Sequence, residues 1–390
     1  PLISAPIISR LYSPDDFGTY AVFFGVVAIM SSFAHFSLQN AILLAPSDEE
    51  AARANLLALS VSLGVAVFAA VVLFCVPEPI LINLFGTNFL KLAPWLPVTL
   101  ALTGIYTCFY NWWIRQNLYK QLGLNQLILG FSTAFVQIGI GLVGLDAIGF
   151  VWANIIGYVI AIMLLFSVVF RDMRVIEHCF DLSYASKTFH KYRNLAFYTT
   201  PAGLINSGSS YLPDFYINSL FGPSLLGQYS LANRMVNMPL GFFSNTVQDI
   251  FRQQASEEYN REGNCEKTFD KYFVLMLMVS IIVLVPFILI LPYIFPIIFG
   301  DQWSDAGRLI QPLIVLIVIR FVSSPLSYIW IIKGHQRLDM FWQLGLLILA
   351  IASFSLIPAP TIESTLWNYS IICGFWYGVC VSVSYYLSRR

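Results

Sequence analysis

The chain has 390 residues, of which 58% are hydrophobic, 16% aromatic and 11% charged, with 21 basic and 21 acidic side chains. A soluble domain carries roughly 25% charged residues to cover its surface, so this composition excludes an ordinary soluble enzyme, a disordered chain and a nucleic-acid binder. It is the composition of a polytopic membrane protein, and the balanced net charge identifies no partner until the placement of the charges is considered.

Apolar runs long enough to cross ~30 Å of hydrocarbon at ~1.5 Å per residue fall near 18–45, 54–76, 94–114, 122–143, 147–170, 195–221, 226–250, 272–291, 308–332, 339–358 and 364–388. These make eleven spans. The opening stretch, Pro1 to Ser9, is apolar, too short to span and without an initiating Met, and reads as the tail of a truncated first helix, for about twelve in all. It is not a signal peptide, because no basic region or small-residue cleavage pattern precedes Arg10. With the N-terminus in the cytoplasm, 16 basic residues, from Arg53 and Arg115 to Arg389 and Arg390, lie in cytoplasmic segments. Three (Arg10, Lys91, Arg308) lie outside and two (Arg234, Arg320) within spans, a positive-inside bias that puts both termini in the cytoplasm. The longest outside connection is about Pro77 to Ala93, which leaves no room for an extracytoplasmic catalytic domain.

The chain repeats itself. Leu11, Pro14, Phe17, Gly18 and Tyr20 align with Leu220, Pro223, Leu226, Gly227 and Tyr229 at an offset of 209, which also carries Leu38-Gln39-Asn40 onto Val247-Gln248-Asp249. A third anchor, Leu84-Phe85-Gly86 and Phe89, matches Ile298-Phe299-Gly300 and Trp303 at an offset of 214. Three matches in order point to duplication. The expected organisation is a six-helix bundle over 1–170 with its first span incomplete, a cytoplasmic linker over 171–194 whose later part is an interfacial amphipathic helix, and a second bundle over 195–390.

Intramembrane polar groups cost at least ~2.5 kcal/mol when charged, so they normally face a bundle interior or a wet cavity. Ser230, Arg234, Asn237, Gly241, Ser244 and Gln248 recur at three- and four-residue steps on one helical face. The repeat partner carries a fainter stripe of Gly25, Ser32, His35 and Gln39, and the preceding span adds Ser207, Ser210 and Asp214. Arg320 lies twelve residues beyond Arg308, about 18 Å deep, and Arg10 ends the first span. Arg10, Arg234 and Arg320 against Asp214 leave two surplus positive charges, which suits an anion. A diphosphate fits the guanidinium fork. The structural alternatives are a packing ion pair between Asp214 and Arg234 or Arg320, and snorkelling of Arg10 to the headgroups. Asp214 is also a candidate for ion coupling or gating, and His35 for either a bundle hydrogen bond or a proton role.

Other features have plainer readings. Ser13-Pro14-Asp15-Asp16 reads as N-cap, N1 and two acids on a helix start rather than catalytic acids, and Ser47-Asp48-Glu49-Glu50 is a second helix start. His178, Cys179 and His190 share a segment without a fourth ligand, and the six cysteines form no ligand-spaced cluster, so no metal, cofactor or disulfide framework is expected. Trp112-Trp113 and Phe375-Trp376-Tyr377 fit interfacial belts and packing.

Arg10 to Gly18, Tyr211-Leu-Pro213, Leu220-Phe-Gly222, Gly227 to Arg234, Pro239-Leu-Gly241 and Phe299 to Gly307 together resemble the bacterial polysaccharide-biosynthesis flippases. These are the Wzx-type O-antigen translocases of the multidrug/oligosaccharidyl-lipid/polysaccharide exporter superfamily. The resemblance covers nearly the whole chain. It implies an all-α protein of two six-helix bundles in the bacterial inner membrane that moves an undecaprenyl-diphosphate-linked oligosaccharide from the cytoplasmic to the periplasmic leaflet by alternating access. Membrane lipids, H+ or Na+ as coupling ion, and the polysaccharide polymerase machinery are the implied partners.

On this reading Arg234, Arg320 and Arg10 hold the diphosphate. Ser230, Asn237, Ser244, Gln248, His35, Gln39, Ser207 and Ser210 line a polar cavity, and Asp214 couples an ion or gates. The protein is expected to be no enzyme. A cation-coupled multidrug antiporter of the same superfamily would favour an acidic cavity, and a membrane glycosyltransferase or polymerase would need catalytic groups in a large outside loop.

Overall fold

The computed structural model describes residues 4–174, 182–356 and 360–389, and within them all regular structure is helical. The first half runs α1 (Ala5–Leu11), α2 (Pro14–Ala34), α3 (Ala41–Leu44), α4 (Asp48–Cys75), α5 (Glu78–Phe85), α6 (Phe89–Leu92), α7 (Leu96–Arg115), α8 (Tyr119–Leu142), α9 (Ile148–Arg174) and α10 (Leu182–Asn194). The second runs α11 (Thr200–Phe221), α12 (Pro223–Glu262), α13 (Glu266–Val279), α14 (Val285–Phe299), α15 (Ala306–Ile310), α16 (Ile314–Leu326), α17 (Ile329–Ile332), α18 (Gln336–Ser355) and α19 (Ile362–Arg389). Nine helical segments among the described residues are long and apolar enough to cross a membrane, so the protein is a multi-pass membrane protein. The long helices α11 and α12 fall short of that apolarity, because α11 carries Asn206, Ser207, Ser210 and Asp214 and α12 carries Asn233, Arg234, Asn237 and Gln248.

The expected first span, 18–45, is not one helix. After Ala34 the backbone turns left-handed at Phe36 (φ 46°) and Ser37 (φ 55°) before a short 3₁₀ turn leads into α3. The break is held by hydrogen bonding, from Leu38 N–H to the His35 carbonyl (2.9 Å) and between the Ser37 and Thr200 hydroxyls (3.1 Å). The connection between Pro77 and Ala93, expected outside, is also more ordered than a loop, since it folds into α5 and α6. Both expected helix starts form. Ser13 and Asp16 make a reciprocal capping box, and the other Asp16 oxygen accepts from Ala147 N–H (2.9 Å) at the start of α9. Ser47 accepts from Glu50 N–H.

The helices pack as two compact units, Pro1–Ser224 and Leu225–Arg390. The helix that opens the second half of the sequence, α11, therefore belongs by packing to the first unit. Its seam with α2 is close because Gly25 has no side chain, and a Cβ there would lie 3.2 Å from the Phe215 ring. The same helix ends with the Asn218 amide donating to the Phe85 carbonyl (3.0 Å). Deeper in this unit, Ala51, Ala52, Ala54 and Ala58 of α4 are almost wholly buried and pack with Trp112 of α7 and Leu165 of α9. Small residues on α4 let the large ring in. Trp113, also buried, donates to the Leu165 carbonyl (3.2 Å), so this tryptophan pair is packing rather than a belt.

The charged end of the first unit is tied by ion pairs. Arg115 donates to the carbonyls of Ile42 and Ala45 (both 2.8 Å) and pairs with Asp48 (2.9 Å). From α10, Lys191 pairs with Glu50 and the Tyr192 hydroxyl donates to the same carboxylate (2.7 Å). Burial and that bond push the Tyr192 phenol up to about 12. In the second unit Lys333 donates to the Gly263 carbonyl (3.3 Å), and Arg389 pairs with Glu266 (2.8 Å) and Asp270 (3.0 Å). The buried Glu258 side chain accepts from the backbone N–H groups of Lys267 and Thr268 and caps the start of α13.

Candidate functional site

Pro223 opens α12 at the N1 position and the helix runs for 40 residues. Leu226, Tyr229, Ala232, Val236, Val247 and Phe251 are buried. The residues of the polar stripe are not. Ser230, Asn237, Gly241, Ser244 and Gln248 are half-buried and Arg234 is exposed, while Asn237 donates to the Asn233 carbonyl one turn back (2.9 Å). Contacts advance together along α12 and the later helices. Gln228 donates to the Gln302 carbonyl (2.8 Å), the Phe243 and Phe321 rings pack at 5.8 Å, and Arg252 lies over Tyr328. α12 and α16 therefore run in the same direction. Arg320 is exposed on α16 and within electrostatic reach of Tyr369 and Tyr377 on α19.

The remaining candidates lie in the first unit. Arg10 is exposed in the last turn of α1. Ser207 and Asp214 are half-buried and Ser210 exposed on α11. Their neighbour Ser209 is turned inward and donates to the Ile205 carbonyl (2.8 Å). Gln39 is half-buried, whereas His35 is enclosed, with Nε2 3.2 Å from the Gly104 carbonyl oxygen, so its ring packs between α2 and α7 rather than opening outward. The expected set is thus divided: Arg234, Arg320, Ser230, Asn237, Ser244 and Gln248 in one unit, and Arg10, His35, Gln39, Ser207, Ser210 and Asp214 in the other. Among the described residues, Arg10, Arg234, Arg320 and Asp214 have no ion pair, unlike Arg115 and Arg389.

No group of three metal-ligating side chains exists among the described residues. His178 and Cys179 lie outside them, and His190 contacts Arg193. Sequence reasoning counted Arg252 only toward orientation. The signal that singles it out is the period, since it follows Gln248 by four residues and lengthens the stripe.

A family model described as "Polysaccharide biosynthesis protein" matches residues 7–308. The chain belongs to this polysaccharide biosynthesis protein family. It is 23% identical over 175 residues to the teichuronic acid biosynthesis protein TuaB of Bacillus subtilis (strain 168), a match covering 43% of this chain and about a third (35%) of that protein. Two solved structures share the fold. The lipid II flippase MurJ in an inward closed conformation has a TM-score of 0.75 at 14% identity, covering 98% of this chain and 85% of that one. A multidrug resistance MATE family transporter of the MOP superfamily, inward-facing, has a TM-score of 0.72 at 16% identity, covering 100% and 92%. At these identities the likeness is one of fold.

Proposed function

We propose that this protein of the polysaccharide biosynthesis family is a flippase that moves an undecaprenyl-diphosphate-linked oligosaccharide from the cytoplasmic to the periplasmic leaflet of the bacterial inner membrane by alternating access. The observation that carries the reading is the character of α11 and α12. Both are long helices less apolar than the nine candidate spans, and the stripe on α12 offers hydroxyls, amides and an unpaired guanidinium along one face. A glycan needs hydroxyl and amide partners, and a diphosphate needs guanidinium forks. Arg234 and Arg320 hold the diphosphate, and the lipid tail stays in the bilayer, so only the polar head is sheltered. Asp214 serves as the ion-coupling or gating acid, with H+ or Na+ as the ion. The basic ends of both units face the cytoplasm, no step needs a catalytic group, and polymerase machinery would receive the product.

A multidrug antiporter is the second reading, favoured by the likeness to the MATE fold. The test is the sidedness of the lipid-linked oligosaccharide in cells lacking or expressing the full-length protein. Accumulation on the cytoplasmic face that wild type relieves and Arg234→Ala does not, with Arg234→Lys partly active, is the expected result. Unchanged sidedness together with altered resistance to cationic drugs would transfer the case to the antiporter. In the same assay Asp214→Asn should change the dependence on pH or sodium, and an unaltered dependence removes the coupling role.

A further inference from the structure

Arg252 extends the α12 stripe by one turn beyond Gln248 and is exposed. Eighteen residues separate it from Arg234, about five turns and about 27 Å, so both guanidiniums leave the helix at the same azimuth. Its Cζ lies 5.4 Å from the centroid of the Tyr328 ring. A guanidinium held on an aromatic face uses its flat side, which leaves the five in-plane N–H donors directed outward. Arg389 shows the other use of this arrangement. It lies 3.5 Å from the centroid of Tyr385, but its donors are taken by Glu266 and Asp270. Among the described residues Arg252 has no ion pair, so its donor edge is uncommitted. Asp249, one turn back, leaves it unpaired as well.

The neighbouring helix supplies the matching face. Arg320 and Ser324 on α16 and Tyr328 at the start of α17 follow at four-residue steps, the first two exposed and the third half-buried. The Phe243–Phe321 contact puts Ser244 and Arg320 at one depth. Because α12 and α16 run in the same direction, the residue after one contact and the residue before the other lie on the same side of the seam. Guanidiniums therefore occur at three levels of one unit: Arg234, then Arg320 about 15 Å further, then Arg252 about 12 Å beyond. The last level is the end where Lys333 packs over Tyr259 and Arg389 ends α19.

We infer that Arg252, seated on Tyr328, is the first docking point for the phosphoryl groups of the lipid-linked substrate at the basic end of the protein, one step ahead of Arg320 and Arg234. The inference rests on the translocation reading and extends it to the order of contacts. A docking residue governs capture, whereas a residue at depth governs passage. Arg252 should therefore act on KM and Arg234 on kcat.

The experiment uses the full-length protein in inside-out vesicles, follows protection of undecaprenyl-diphosphate-linked oligosaccharide, and adds inorganic pyrophosphate as competitor at the exposed basic end. Pyrophosphate should inhibit wild type. Arg252→Ala should raise KM about tenfold, the order of a charge-assisted hydrogen bond to a phosphate, leave kcat unchanged and weaken pyrophosphate inhibition to the same extent. Arg252→Lys, which keeps charge but loses the fork, should lie between, and it carries the test if the Ala variant does not fold. Wild-type KM and wild-type pyrophosphate sensitivity in Arg252→Lys or Arg252→Ala overturn the inference alone. It is also overturned if the variants change only the response to phosphatidylglycerol content, since Arg252 then holds ordinary bilayer lipid. Absence of translocation by wild type brings down the translocation reading, and the order of contacts with it.

Discussion

In the first repeat the helix after the opening proline, α2, stops at Ala34. In the second, α12 runs without interruption from Pro223 to Glu262. At the offset of 209 the left-handed residues Phe36 and Ser37 correspond to Asn245 and Thr246, and Thr246 instead back-bonds its hydroxyl to the Phe242 carbonyl (3.0 Å) and stays helical. Positive φ is costly for a β-branched residue, while Ser37 gains a hydroxyl partner on Thr200 in exchange. Around this difference the two repeats keep the same fastenings. Gly86 and Gly300 end α5 and α14 with φ of 88° and 103°, a conformation open to glycine, and each places a buried aromatic residue, Phe89 or Trp303, three residues on. Arg115 reaches the Ala45 carbonyl as Lys333 reaches that of Gly263, both at an offset of 218. Trp113 of α7 donates to Leu165 of α9 as Trp330 of α17 donates to Ser384 of α19. The matching segments thus share the ties at the ends of the helices, while the middle of one polar helix is unbroken and the other is bent.

The sharpest way to break this correspondence is at Gly307, whose counterpart at an offset of 214 is Ala93. A Cβ on Gly307 would sit 2.5 Å from the Pro292 backbone, which cannot swing aside as a side chain can. Gly307→Ala should cost about 3 kcal/mol or more, seen as loss of monodisperse protein in size-exclusion chromatography, while Ala93→Gly should cost under ~1 kcal/mol. Equal yields would mean the α14–α15 approach is not tight. Next is the paired fastening. Arg115→Ala strands two carbonyls and Asp48 and should lower stability by about 2–3 kcal/mol, whereas Lys333→Ala loses one longer bond and should lose under ~1 kcal/mol. Thermal unfolding in detergent compares them, and a larger loss for Lys333 would reverse the ranking.

The smallest effect belongs to α10, which lies between the repeats. With the phenol raised from 10.0 to about 12, the Tyr192–Glu50 bond contributes fully below pH 10 and is lost as pH rises through about 12. The difference in phenolate absorbance between wild type and Tyr192→Phe should show one tyrosine titrating near that value. A normal titration would detach α10 from α4.

Much of this was legible beforehand. Composition and run length gave the membrane class, because a bilayer demands apolar stretches of fixed length whatever they pack against. Capping at Ser13 and Ser47 was legible because it is settled within one turn of chain. The polar stripe on α12 was legible because helical period alone decides which residues share a face. The break at Phe36–Ser37 was not, since it depends on a hydroxyl from α11, 163 residues away.

The sequence by itself determined a helical, multi-pass chain with a cationic polar helix opening its second half, all properties of local composition and period. Only the tertiary structure decided that α11 packs against α2, that His35 is enclosed while Arg234 and Arg320 stay open, and that Arg252 rests on Tyr328. Those outcomes depend on which distant surfaces meet, and a side chain is buried, paired or free only once its neighbours are in place.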